Sequence, residues 1–217
     1  MAALQPVTPP SHEPVEVVEM KEYLRVTSPA EDRLISTLIR EARQQFDGRD
    51  AWFHRALITQ QWQLNVDTFP TPYTWASWGS PWPPPAYVWP EVMVWWPRQY
   101  AIILPLPPLQ SVQSVTYIDE TGATQTLDPS AYVVDTQSEP GAIMPSYGTV
   151  WPTTRWVPNA VTVKFTAGYG AAPAVPEPIK VWIKQAVAYR YDNRSLLTTL
   201  PTSFYWALAN YKVVWSA

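Results

Sequence analysis

The chain has 217 residues, of which 47% are hydrophobic and 15% charged, so it can bury the core of one domain. A net charge of −3 argues against a protein that clamps nucleic acid by neutralising phosphates, and the absence of cysteine excludes disulfides and thiolate metal sites. The 25 prolines and 13 tryptophans indicate stiff connections and large aromatic contact surfaces.

The first part of the chain predicts an arm followed by helices. Residues 1–14 are polar and rich in proline, which is typical of a flexible arm. They lack the basic start and apolar run of a signal peptide, and no apolar run approaches the roughly 20 residues that a bilayer requires. We therefore expect a soluble, intracellular protein without membrane contact. Residues 15–54 predict N-terminal helices, the first of them a short one within 15–26.

The second helix carries clear start and stop signals. Ser28, Pro29 and Glu31 form a capping-box pattern with proline at the first helical position, and Gly48 supplies a stop. Apolar residues then recur at steps of three and four, which predicts one buried face: Leu34, Ile35, Leu38, Ile39, Ala42 and Phe46.

Residues 55–170 predict an antiparallel β module. The period changes to two in the stretch that contains Ile58, Trp62, Leu64 and Val66, as in a half-buried strand. Short runs rich in Val, Ile, Thr and Tyr follow, and the sequence DETG that ends at Gly122 predicts a hairpin loop. Residues 70–100 interrupt this module with a Trp/Pro-rich stretch.

Helical spacing returns near the end of the chain. Residues 171–200 predict a C-terminal helix that begins at Pro178, and residues 201–217 predict a short helix from about Ser203 to Asn210 followed by an extended tail. The fold class predicted is α+β: a helical core of N-terminal and C-terminal helices, with an inserted antiparallel β module and a Trp/Pro-rich loop.

The sequence offers little for catalysis. The two histidines, His12 and His54, have no Asp or Glu at the spacing of a metal site or a catalytic triad. The carboxylates of the β module fall in predicted turns, where Asp serves backbone hydrogen bonding, although a paired acid/base site stays conceivable: Asp119, Glu120, Asp128, Asp135 and Glu139. We expect no enzyme activity, no catalytic residues, no metal and no cofactor.

Several stretches together resemble the phage head-tail connector (adaptor, or head completion) family of siphovirus-like phages and phage-like particles, in its longer form with a β insertion. They run in family order from about residue 16 to residue 215: EYLRVTSPAEDRLISTLIREAR, RALITQQWQL, LPLPPLQSVQSVTYIDETGATQTLDPSAYVVDT, VTVKFTAGYG, VPEPIKVWIKQAVAYRYDNR and ALANYKVVW. Two features depart from the family pattern. Leu106 lies inside LPLPP, where related sequences often have a basic residue, and residues 70–100 replace a short connection.

The resemblance implies a structural virion protein that is assembled in the host cytoplasm and located in the neck. It implies a homo-oligomeric ring of about twelve copies, a dodecamer, under the portal protein, joining the DNA-filled capsid to a tail stopper or other neck protein. DNA would pass through the channel without specific binding. The family's C-terminal segment commonly engages the portal, which implies these candidate interface residues for the portal or a neighbouring subunit: Phe204, Trp206, Leu208, Tyr211, Val214 and Trp215. Alternatively, this segment covers the core of its own subunit.

The Trp/Pro-rich insertion predicts a second contact region. Its tryptophans, left in water, would form a larger apolar patch than soluble monomers usually tolerate. We therefore expect residues 70–100 to be an interface loop with the contact residues Trp75, Trp78, Trp82, Trp89, Trp95 and Trp96. The alternative is that the loop folds back on its own β module.

Two other functions stay open. One is a tail stopper or tail-completion protein of the same neck. The other, from a different class, is a carbohydrate-binding β-sandwich with exposed tryptophans, which would explain the aromatic content but not the capped helices on both sides. A small-molecule enzyme is a distant third.

Overall fold

The computed structural model describes residues 3–70, 100–193 and 209–213. Within these residues there are three α-helices: α1 (Val17–Leu24), α2 (Asp32–Phe46) and α3 (Glu177–Asp192). Short 3-10 turns cover Pro29–Glu31, Pro129–Ala131, Ala172–Ala174 and Ala209–Tyr211. No helix among the described residues is long and apolar enough to cross a membrane.

Eight strands form two antiparallel sheets within the same residues. They are β1 (Ala3–Thr8), β2 (Gln60–Val66), β3 (Ile102–Leu104), β4 (Leu109–Ile118), β5 (Thr124–Thr126), β6 (Tyr132–Asp135), β7 (Gly141–Pro145) and β8 (Val161–Ala167). The larger sheet has the order β1-β2-β8-β4-β5, and the smaller one has the order β3-β7-β6. Trp62 of β2 lies opposite Phe165 of the central strand β8, and both side chains are buried.

The predicted architecture, a helical core with an inserted β module, is wrong. The first strand, Ala3–Thr8, precedes every helix and pairs with β2 at the edge of the larger sheet, so the sheet is not confined to an insertion. The three helices lie beside two antiparallel sheets in a mixed α+β fold.

The segment predicted as a flexible arm is therefore partly a strand. Pro6, within β1, suggested an arm because proline has no amide proton to give to a sheet. An edge strand tolerates this loss, because its outer side needs no partner. Leu4 supplies the anchor, since its side chain is buried in the core while most of the strand is exposed. The proposed division of the rest of the chain into domains stays a prediction.

The start of α2 follows the capping signals of the sequence. The Ser28 hydroxyl accepts a hydrogen bond from the Ala30 amide at 3.2 Å, and Pro29 opens the 3-10 turn that leads into the helix. Ile35, Ile39, Ala42 and Phe46 are buried, as the helical spacing predicts, whereas Leu38 is half-buried and Leu34, also predicted on the buried face, is exposed. Helix α2 ends at Phe46, just before Gly48.

The buried apolar side chains form two clusters. The sheet cluster lies between the two sheets and includes Trp62, Leu104, Val163 and Phe165. Leu106 belongs to it with 1% exposure, in place of the basic residue that the family pattern led us to expect. The helical cluster joins the three helices and includes Met20 of α1, with Ile35, Ile39 and Phe46 of α2 and Ile179, Ile183 and Val187 of α3.

A buried connector, residues 53–58, links the two clusters. Phe53, Leu57 and Ile58 pack in the helical cluster, whereas Ala56 packs in the sheet cluster. The Asp47 carboxylate, at the end of α2, fixes the connector by accepting hydrogen bonds from the Leu57 amide at 2.9 Å and from the Gln60 side chain at 2.7 Å.

The buried carboxylate of Asp47 is paired with an arginine. Its second oxygen accepts a hydrogen bond from the Arg43 guanidinium at 3.0 Å, and Arg43 also pairs with Glu13. Burial raises the pKa of the Asp47 carboxyl, although the Leu57 amide and Arg43 act in the opposite direction. The same connector requires Gly168, because a Cβ there would lie 2.4 Å from the Ile58 carbonyl oxygen.

The predicted hairpin between β4 and β5 is confirmed. Gly122 adopts φ +93°, and the Asp119 carboxylate accepts hydrogen bonds from the Thr121 hydroxyl and from the Thr121 and Ala123 amides. The Gln125 side chain donates a further hydrogen bond to this carboxylate. Together these bonds lower the pKa of Asp119 to about 2, and the bond from the Thr121 hydroxyl has the largest effect, followed by the bond from Gln125.

The low pKa of Asp119 predicts a local pH dependence. A depressed pKa means that the carboxylate stabilises the hairpin above its unfolded pKa of about 3.9, and that this stabilisation is lost as the pH falls toward 2. The NMR chemical shifts of the Thr121 and Ala123 amides should report a loosened turn between about pH 4 and pH 2. Asp119→Ala should loosen the turn at every pH, and the exposed neighbour variant Glu120→Ala should behave like the parent. A pH profile unchanged by Asp119→Ala would contradict this account.

Candidate assembly surfaces

The described residues were compared with the metal and acid/base sites that the sequence left open. No group of three or more His, Cys, Asp or Glu side chains among them is placed to hold a metal ion. The His54 Nδ1 lies 2.8 Å from the Arg49 carbonyl oxygen, so this histidine serves the junction between α2 and the connector. Asp128 and Asp135 each accept hydrogen bonds from backbone amides of their own turns, as predicted.

Among the residues that the structure describes, the most exposed apolar side chains lie on the loop between β7 and β8. Tyr147, Val150 and Trp156 project into solvent, and Trp156 is 97% exposed. Isolated exposed apolar residues are ordinary, but an almost fully exposed tryptophan together with a tyrosine and a valine on one loop indicates a contact surface. We call this loop, residues 146–159, the aromatic loop.

Trp151 fixes the aromatic loop to the body of the fold. Its ring stacks on Phe69 with centroids 4.8 Å apart and planes 9° from parallel, and its Nε1 donates a hydrogen bond to the Tyr100 carbonyl oxygen at 2.7 Å. Phe69 is buried and meets the Tyr117 ring edge-on at 5.7 Å. Thus one tryptophan contacts the residues just before and just after 71–99.

This placement bears on the tryptophans predicted to form an interface loop. All six lie outside the described residues: Trp75, Trp78, Trp82, Trp89, Trp95 and Trp96. The described residues Phe69 and Tyr100, which flank positions 71–99 in the sequence, are both in contact with Trp151. The aromatic loop and the ends of the Trp/Pro-rich segment therefore lie at the same end of the molecule.

One of the predicted C-terminal interface residues can be placed. Tyr211 is half-buried, and its ring meets the Phe53 ring edge-on with centroids 6.5 Å apart. The next two residues contact Trp52 and Phe53. Lys212 lies 5.3 Å from the centre of the Trp52 ring, and the Val213 amide donates to the Phe53 carbonyl oxygen at 3.0 Å. The other five lie outside the described residues: Phe204, Trp206, Leu208, Val214 and Trp215.

Arg55 ties this C-terminal stretch to the sheets. From its buried position in the connector, its guanidinium donates to the Tyr211 carbonyl oxygen at 2.6 Å, to the Glu139 carboxylate at 2.5 Å and to the Tyr169 hydroxyl at 3.3 Å. Burial raises the pKa of the Tyr169 phenol, which stays neutral. Residues 209–213 are thereby anchored to their own subunit.

A groove lies on the helical side of the molecule. It measures about 530 Å³ and runs between the start of α1, α2 and the turn at 171–173. Its lining is mostly apolar, with His12, Glu13, Glu16 and Ser36 as the polar contributors, and the apolar side chains include Val15, Val17, Val18, Ile39, Ala172 and Pro173. We call it the helical groove.

Sequence reasoning missed the aromatic loop and the helical groove. A signal for the loop exists in SYGTVWPTTRWVPN, where aromatic residues alternate with turn formers and neither strand nor helix periodicity holds. The groove has no such signal, because it depends on the distance at which residues 171–173 pass the first two helices.

Chains in three solved structures share this fold along nearly its whole length. One belongs to the neck of an empty gene transfer agent (GTA) particle computed with C6 symmetry, with a TM-score of 0.69 and 18% identity. Another belongs to the virion of a native GTA particle, with a TM-score of 0.68 and 20% identity. The third belongs to the neck of a native GTA particle computed with C12 symmetry (0.60, 16%). In each case the match covers 99% of this chain and 97% of the other. No protein-family model and no curated protein matches the chain.

The contacts of Trp151 predict a large effect of its removal. Trp151→Ala should lower the free energy of unfolding by about 2–4 kcal/mol, because it deletes the stacking on Phe69 and the bond to Tyr100. Trp151→Phe keeps the stacking but loses the hydrogen bond, so it should lower the free energy of unfolding by about 1 kcal/mol. Trp156→Ala, in the same loop but exposed, should stay within about 0.5 kcal/mol of the parent in urea titrations. Equal effects of the two alanine variants would contradict the assigned role of Trp151.

Arg55 should anchor the C-terminal stretch. Arg55→Ala removes three hydrogen bonds, including those to the Glu139 carboxylate and the Tyr211 carbonyl. It should therefore lower the free energy of unfolding by about 1.5–3 kcal/mol. Limited proteolysis should then cleave near residues 209–213 faster than in the parent. Arg33→Ala, on the exposed face of α2, serves as the control. The anchoring role is contradicted if both variants leave proteolysis unchanged.

Proposed function

We propose that this chain is a structural protein of the neck of a phage-like particle. The observation that carries the proposal is the fold match, which covers almost the full length of chains from GTA necks and a GTA virion. A binding or assembly role also agrees with the exposed aromatic loop and with the lack of a metal-binding cluster among the described residues. In this proposal the chain acts through its surfaces and transforms no substrate.

Within the neck, the role proposed is that of the adaptor. About twelve copies close into a ring under the portal protein and join the DNA-filled capsid to the stopper or another neck protein. Supporting this, the structures with similar chains were computed with C6 or C12 symmetry. A net charge of −3 suits a channel through which DNA passes without adhering. A stopper built from six copies is the second candidate, since C6 symmetry fits it equally well.

The proposed contact residues fall into two groups. The tryptophans of the Trp/Pro-rich segment contact a neighbouring subunit or another neck protein, and the contacts of the flanking residues Phe69 and Tyr100 with Trp151 of the aromatic loop support this proposal. The C-terminal segment that includes Phe204, Trp206 and Trp215 engages the portal. The contact of Tyr211 with Phe53 supports an anchoring role for that residue.

Electron microscopy of the purified chain mixed with the portal protein of the same particle tests the function. We expect closed rings of about twelve copies seated on the portal, and rings of six would favour the stopper. A chain that stays monomeric, ignores the portal and shifts its tryptophan fluorescence with oligosaccharides would instead be a carbohydrate-binding module.

The double variant Trp82→Ala/Trp89→Ala tests the Trp/Pro-rich segment. Ring or neck assembly should be impaired, because two large apolar contacts are lost, whereas circular dichroism should show a folded monomer. Tyr23→Ala, which removes an exposed aromatic side chain from α1, is the control. Normal assembly by the double variant would count against the proposed contact.

A further inference from the structure

A closed ring of identical subunits needs two different surfaces that fit each other. Each subunit presents one surface to the next copy and receives the other from the previous copy. This inference rests on the proposed function, and it asks which two surfaces of this chain meet. The aromatic loop and the helical groove are suited to each other in shape, polarity and charge.

The aromatic loop offers a protruding side chain on a backbone that is held in place. Trp156 is almost fully exposed, yet the backbone around it is held, since the Arg155 amide donates to the Ile118 carbonyl oxygen at 3.0 Å. The Asn159 amide donates to the Asp67 carboxylate, also at 3.0 Å. A preorganised aromatic side chain loses little conformational entropy on binding, which favours its use as an anchor.

The helical groove offers an apolar recess of sufficient size. Val15 and Ile39 are buried at its base, and Val18 is 66% exposed at its edge. Its volume of about 530 Å³ exceeds that of an indole ring. Because the groove belongs to the helical side and the loop to the sheet side, a contact between them joins two different faces of the molecule.

Charges beside these surfaces have opposite sign. Arg155, next to Trp156, is exposed and extends over Gly122, and it forms no ion pair with any residue that the structure describes. Glu16, in the lining of the helical groove, is likewise exposed and unpaired within the described ranges. A cation beside the inserted side chain would thus meet a carboxylate beside the recess.

We propose that Trp156 of one copy inserts into the helical groove of the next copy, with Arg155 facing Glu16. The contact is heterologous, so its repetition generates a ring or an open helix, and the portal selects the closed form. Occupation of the groove by another neck protein, or by a segment of the same chain, is an alternative that the following experiments distinguish.

Charge reversal tests the pairing without disturbing the core. Arg155→Glu and Glu16→Lys, measured separately by mass photometry with and without the portal, should each raise about tenfold the concentration at which half of the chains are in rings. The combination of both variants should restore assembly, because the charges are again opposite. Lys164→Glu and Asp192→Lys, exposed and outside both surfaces, are the matched controls and should assemble like the parent.

Disulfide trapping tests the position of the contact. The chain has no cysteine, so Pro158→Cys with Val18→Cys supplies the only thiols. Oxidation of assembled rings should give a covalent ladder of multimers, and either single variant should give dimers at most. A bond formed only within one chain would overturn the proposal in favour of a segment that folds onto its own groove.

The outcomes separate this inference from the proposed function. Rings of the parent that are unaffected by charge reversal beyond the controls, and that yield no ladder, would overturn the contact and leave the neck role intact. Absence of rings with the parent, both alone and with the portal, would contradict the neck role itself and this contact with it.

Discussion

The buried carboxylate of Asp47 is the interaction on which the rest of the structure depends. It stands where α2 ends and accepts hydrogen bonds from the connector and from β2, so that the helical layer and the sheets share one fixed junction. Ionisation at a buried site is costly, and the Arg43 guanidinium offsets part of this cost. Arg55 adds a second link, through its hydrogen bonds to Glu139 and Tyr169.

Two further contacts hold exposed parts of the chain to this junction and to the sheets. Trp151 holds the aromatic loop to the sheet cluster, and Trp156 remains in solvent beside it. Arg55 similarly fixes residues 209–213 to the connector. The aromatic loop and residues 209–213 are therefore both held against the body of the fold.

The local elements could be predicted well from sequence, whereas their assembly could not. Ser28 and Pro29 mark the start of α2, and Gly122 marks the hairpin, because both signals act over a few residues. The predicted helical core was wrong for a physical reason: β1 is recognised only through its pairing with β2, a contact between residues about sixty positions apart, and Pro6 argued locally against a strand.

The functional surfaces show the same division. The abundance of tryptophan and proline predicted aromatic contact surfaces, which stays a prediction, and the position of Trp156 could not be predicted because it depends on how Trp151 packs against Phe69. The assignment of Tyr211 to an interface could not anticipate its contact with Phe53, which brings together distant parts of the chain. The resemblance in sequence order predicted a phage-like particle neck, and chains of GTA particles share the fold of this chain along nearly its whole length.

A cryo-electron microscopy reconstruction of the neck of a particle that contains this chain tests the central claim most directly. The account predicts a closed ring of this chain around the particle axis, next to the portal, with the sheet side of each copy against the helical side of the next. Density for the chain outside the neck, or as single copies without rotational symmetry, would contradict it.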